Sequence, residues 1–183
     1  MRQNKLINAI KYWLENTIIA FNFCPFAKKE FINGAIHYEI VENNALLEQL
    51  ASLSLELKRL DKDRTIETTL VIFPTGLESF FDYLDFLQSA NELIDELNYQ
   101  GIYQLASFHP DYCFEDVKQS DLSNYTNRSP LPLIHIIREE GLEKALNTFS
   151  KPEQIPVRNI AFCQEKTIQD FDAILKHSME LMN

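Results

Sequence analysis

The chain has 183 residues, 45% of them hydrophobic and 24% charged, with a formal net charge of −10. That composition is ordinary for a soluble globular protein, and the length fits a single domain spanning residues 1–183. The acidity excludes the clustered Lys and Arg that a nucleic-acid backbone requires, so no nucleic-acid partner is expected.

Residues 4–21 place Leu6, Ile10, Trp13, Leu14, Thr17, Ile18 and Phe21 at steps of three and four, which predicts an amphipathic helix and not a signal peptide. No run approaches the roughly 18 apolar residues of a membrane span. The three cysteines, Cys24, Cys113 and Cys163, cannot all pair within one chain and lack the density of a secreted disulfide framework. A cytoplasmic protein with reduced thiols and no membrane contact is the expectation. "CPFAKKEFINGAIHYEIV" then puts Pro25 at the start of a short helix, Asn33-Gly34 at its end, and a strand after it.

Leu46, Leu47, Leu50, Leu53, Leu57 and Leu60 mark a second long helix over 44–60. "ETTLVIFP" is a continuous β-favouring run closed by Pro74, the pattern of a strand covered on both faces. Residues 77–98 return to helical spacing, and "IYQLASF" follows Gly101 as a third strand. Strands alternating with helices predict an α/β fold, with a small three-stranded, mostly parallel sheet flanked by about six helices. The alternative is an α+β ferredoxin-like sandwich.

From 109 to 129 the chain is polar and irregular, longer than a compact domain leaves structureless without a functional reason. "SPLPLIHIIREE" reads as a helix with Ser129 as N-cap and Pro130 at its first position, stopping at Gly141. Helical segments are expected near 142–149, 153–163 and 166–182.

Ligands of parallel α/β sheets lie beyond the carboxyl ends of the strands, where His109 and Tyr112 follow the third strand. If the short helix after Cys24 runs back toward that edge, Cys24 faces His109. A helix N-terminus and a nearby imidazole would lower its thiol pKa, making Cys24 the candidate nucleophile. The alternative is a buried structural cysteine. Arg128, beside a helix starting at Ser129, would supply a guanidinium and backbone donors for an anion, with Tyr112, Asn124, Thr126, Asn127 and Arg138 as further binding residues. These polar groups could equally hold the loop. His135 and Glu139, one helical turn apart, would be base and orienter. Metal ligation by His109 with Cys113, or His135 with Glu139, lacks a recognised spacing, and no metal is assigned. Phosphate-loop and dinucleotide signals are missing, so no cofactor is expected.

"FCPFA", "ETTLVIFP", "QLASFHPDY" and "NYTNRSPLPLIHIIREE" together resemble the bacterial domain-of-unknown-function family numbered 1415 over nearly the whole chain. The resemblance implies a matching pattern at Cys24, Pro25, Phe26, Thr68, Thr69, His109, Pro110, Tyr112, Asn124, Thr126 to Pro130, His135, Arg138 and Glu139. Cys113 falls outside that pattern, which counts against a metal site that needs it. Together these readings predict an enzyme of group transfer or hydrolysis acting on a small anionic metabolite. The competing expectations are a non-catalytic ligand-binding or interaction module and a metal-dependent hydrolase. Oligomeric state is not encoded in any feature of the sequence.

Overall fold

The computed structural model describes residues 2–147 and 151–183. Helix α1 (Arg2–Trp13) continues directly into a π-helical turn, Leu14–Ile19. Then come α2 (Ala27–Ile32), β1 (Ile36–Ile40), α3 (Leu46–Lys62), β2 (Thr68–Ile72), α4 (Phe80–Glu96) and β3 (Tyr103–Phe108). A 3₁₀ turn (Leu122–Thr126) leads to β4 (Leu133–Arg138), and α5 (Glu139–Leu146), α6 (Ile155–Gln164) and α7 (Ile168–Glu180) follow. The part of the predicted 142–149 segment beyond Asn147 lies outside the described residues. No helix among the described residues is long and apolar enough to cross a membrane.

The α/β class holds, but the sheet has four strands in the order β1-β2-β4-β3. β1 and β2 are parallel, while β4 runs antiparallel to both of its neighbours. It is therefore neither a three-stranded, mostly parallel sheet nor a ferredoxin-like sandwich, whose helices would share one face. The added strand is the segment read as a helix capped by Ser129. "LIHIIR" is buried on both faces, so its apolar residues run on without alternation, a pattern that helix and central strand share. Correcting that element removes the helix N-terminus at Ser129 and the one-turn spacing of His135 and Glu139. The Ser129 hydroxyl instead donates to the Leu131 carbonyl at 2.6 Å.

Period-two alternation divides the side chains between two cores. Val71, Phe73, Ile134, Ile136 and Tyr103 pack against Leu53, Leu57 and Leu60 of α3 and Tyr83, Phe86 and Ala90 of α4. Leu70, Ile72 and Leu133 face the other way, toward Ile10 and Trp13 of α1, Ala27 of α2, Cys163 of α6 and Phe171 of α7. The turn after β2 needs glycine. Gly76 has φ +89°, and a Cβ there would stand 2.6 Å from the Asn44 Cβ. This turn sets the position of Leu77, whose carbonyl receives a histidine described below.

Candidate functional site

Between the second sheet face and the segments that cover it lies a cavity of about 680 Å³. Its floor is β2, β3 and β4. Its walls are the π-helical turn, α2 and α6, and its cover includes Phe114 and Val117 of the irregular loop. The loop thus has the site-facing position expected of it. Most of the lining is apolar, and no Asp, Glu, Lys or Arg contributes to it among the described residues. The polar exceptions that matter are Cys24, Thr68, Asn127, His135 and Asn159.

His135 reaches this face because β4 is a strand: it pairs with Leu70 of β2 and Ala106 of β3, and its side chain points with theirs. Its Nε2 lies 2.5 Å from Thr68 Oγ1, which lies 2.5 Å from the Ile136 carbonyl oxygen. A carbonyl can only accept, so the Thr68 hydroxyl donates to it, and Nε2 must carry the proton in the bond to Thr68. Nδ1 is left with its lone pair and no hydrogen-bond partner among the described residues. Burial pushes the His135 pKa down to about 4, so the ring is neutral at physiological pH.

Cys24 shares this cavity but not with the electrostatics expected from sequence. Burial raises its thiol pKa, outweighing the backbone N–H groups of Phe26 and Ala27, which act in the lowering direction. The thiol is protonated at neutral pH. Asn159 of α6 donates from Nδ2 to the Phe23 carbonyl at 2.8 Å, which fixes the orientation of the amide. Its Oδ1 is buried without a partner.

His109 lies elsewhere. It is fully buried against the rings of Phe80 and Tyr83, on the α4 side of the sheet. Nε2 donates to the Leu77 carbonyl and Nδ1 accepts from the Asp111 backbone N–H, each at 3.0 Å. Burial lowers its pKa as well. With both nitrogens used, His109 is a structural residue that does not face Cys24.

The other expected binding residues mainly organise the loop. Arg128 gives Nε to the Tyr112 carbonyl at 3.2 Å and Nη2 to the Gln119 carbonyl at 2.6 Å, and stacks over Tyr125. Asn124 accepts from the Phe114 N–H at 3.0 Å and donates to the Lys118 carbonyl at 2.9 Å. Tyr112 packs on Phe80 and Phe114. Thr126 and Asn127 do line the cavity while bonding the Ser123 and Ser107 carbonyls. Arg138 is buried on the α3 side, where it donates to the Leu60, Asp63 and Ile66 carbonyls and to the Tyr103 hydroxyl. Glu139 opens α5 and is absent from the cavity lining.

The metal pairings read from sequence are not brought together. His109 is committed as above, and the Cys113 thiol donates to the Val117 carbonyl at 3.2 Å. A different group, His37, Glu39 and Glu56, has ligand atoms within 4.8 Å of one another. Arg59 already supplies its counter-charge, at 2.9 Å from Glu56 and 3.9 Å from Glu39.

A family model described as protein of unknown function (DUF1415) matches residues 5–173. The chain belongs to that family. No curated protein and no solved structure matches it. The DUF1415 match spans Cys24, Thr68, His135 and Asn159, so the whole polar set of the cavity lies within the family's extent. Sequence reasoning from spacing missed Thr68 and Asn159. Consecutive threonines opening an otherwise apolar central strand were the available signal for the first. Asn159, alone on a short helix, gave none.

Proposed function

We propose that the cavity is the functional site of this DUF1415 chain and that it holds a small molecule for group transfer or hydrolysis, with Cys24 as nucleophile and His135 as base. The observation that carries the reading is the presence of both side chains in one cavity of about 680 Å³, within the roughly 300–1,000 Å³ typical of small-molecule sites. Cys24 is the only cysteine of the three in that lining, and His135 brings an unprotonated Nδ1 to it. In the proposed step the thiol gives its proton to Nδ1 as sulfur forms a bond to an electrophilic carbon. The leaving group takes that proton as its bond to the carbon breaks, and water or a second substrate then releases the product from sulfur. The anionic substrate expected from Arg128 has no counterpart here, because two of its guanidinium nitrogens are bound to backbone carbonyls.

The test is alkylation of Cys24, mapped by mass spectrometry, in wild type, His135→Ala and His109→Ala. A fall of about 100-fold in His135→Ala alone, the lower end of what a positioned base contributes, is the expected result. Equal rates in all three proteins would remove the catalytic role and leave a ligand-binding cavity, the non-catalytic alternative.

A further inference from the structure

We infer that the ligand of this cavity is an uncharged, mainly apolar molecule that donates hydrogen bonds, through hydroxyl or N–H groups, to Asn159 Oδ1 and His135 Nδ1. This rests on the cavity being the functional site and adds the class of molecule it takes.

The lining decides the charge. With no Asp, Glu, Lys or Arg around the cavity, an ion entering it would leave water without meeting a counter-charge. The chain's net charge of −10 further opposes an anion on approach. The surrounding Trp13, Leu14, Phe23, Phe26, Leu70 and Ile137 offer contact surface for an apolar body.

The hydrogen-bond polarity follows from two constraints within the protein. Asn159 lies only 8% exposed, and its Nδ2 is held by the Phe23 carbonyl; turning the amide over would set oxygen against oxygen. Its unpartnered oxygen is therefore an acceptor by construction. His135 is fixed in the same sense by the relay through Thr68 to Ile136, which spends its one N–H and leaves Nδ1 as an acceptor. A ligand whose polar atoms only accept would set lone pair against lone pair at both positions. A donor completes each.

The protein has one tryptophan, and it lines the cavity with its indole N–H bonded to the Arg128 carbonyl. Its single indole N–H resonance in a ¹⁵N-labelled sample is the readout. Four probes of similar bulk are titrated: cyclohexanol as neutral donor, cyclohexanone as acceptor only, cyclohexanecarboxylate as anion and toluene as apolar filler. Cyclohexanol is expected to bind about ten-fold more tightly than the ketone or the carboxylate, the scale on which an unmatched buried polar group discriminates. In Asn159→Leu the preference for alcohol over ketone should shrink by several-fold while toluene still binds, which shows the variant folded. Ketone or carboxylate binding as tightly as the alcohol in the wild type overturns this inference and leaves the cavity reading intact. An undiminished alcohol preference in both Asn159→Leu and His135→Phe also overturns it. If none of the four probes moves the Trp13 resonance, the cavity reading fails and this one with it.

Discussion

On the α3/α4 side of the sheet, His109 has both ring nitrogens bonded and Arg138 has its donors spent on three carbonyls and a hydroxyl. On the other side, His135 keeps one nitrogen open and Asn159 keeps a buried oxygen unmatched, both beside a cavity. Thr69 Oγ1, on the first side, is the one unmatched buried hydroxyl that interrupts the pattern. The contrast teaches how to separate structural from functional polarity when both are buried. A hydrogen-bonded histidine against aromatic rings is part of the core; one with a free acceptor beside empty volume can engage a molecule that arrives later.

The contrast breaks most visibly at Arg138. Arg138→Ala strips donors from the Leu60, Asp63 and Ile66 carbonyls and should cost about 3–5 kcal/mol in denaturant unfolding, at roughly 1–3 kcal/mol per buried group left unmatched. A loss below about 1 kcal/mol would mean that water replaces the guanidinium and that this side is less closed than its bonds imply.

Next in size is the pH dependence of stability. Because the folded protein holds His135 down to about 4, from an ordinary 6.5, its contribution is complete above about pH 6.5 and is lost as pH falls toward 4. The loss amounts to roughly 3 kcal/mol. His109 acts in the same direction. His135→Phe should flatten the profile between pH 6.5 and 4, and an unchanged profile would show that the ring is already hydrated in the cavity.

His109→Ala is expected to lower stability by about 2 kcal/mol through the lost bonds to Leu77 and Asp111. It should leave the response of the Trp13 resonance to cyclohexanol unchanged; a weakened response would join the two sides that the comparison separates. The smallest expected effect concerns thiols. Saturating cyclohexanol should slow Cys24 alkylation several-fold without affecting Cys113, because only Cys24 borders the cavity. Cys163, buried with its pKa pushed up to about 11, should remain unmodified in the folded protein.

Much of the fold was legible in the sequence, since helices with one apolar stripe and strands ended by Pro or Gly carry their own period. α1, α3, α4 and the first three strands fall where spacing placed them, and Asn33-Gly34 ends α2, with Gly34 at φ +66°. β4 was hidden by being central. Burial of both faces erases alternation, and Pro130 imitated a helix start, although two prolines within three residues and three β-branched isoleucines favoured a strand. The site inherited that error. Cys24, Thr126, Asn127 and His135 were named and do border the cavity, whereas His109, Arg128 and Arg138 were named for charge or proton chemistry and serve architecture. Sequence marks groups capable of chemistry. It does not say which of them already have partners.

The π-helical turn at Leu14–Ile19 has a consequence for how this protein tolerates change in chain length. Such a turn holds one residue more than an α-helix needs, and each residue of an α-helix advances the chain by about 100° around the axis. Deleting any one residue from this turn would let the helix relax to α-geometry while rotating everything after it. Phe23 and Cys24 would be carried around with it, away from Asn159 and His135. The helix would survive the deletion, and the thiol would lose its address.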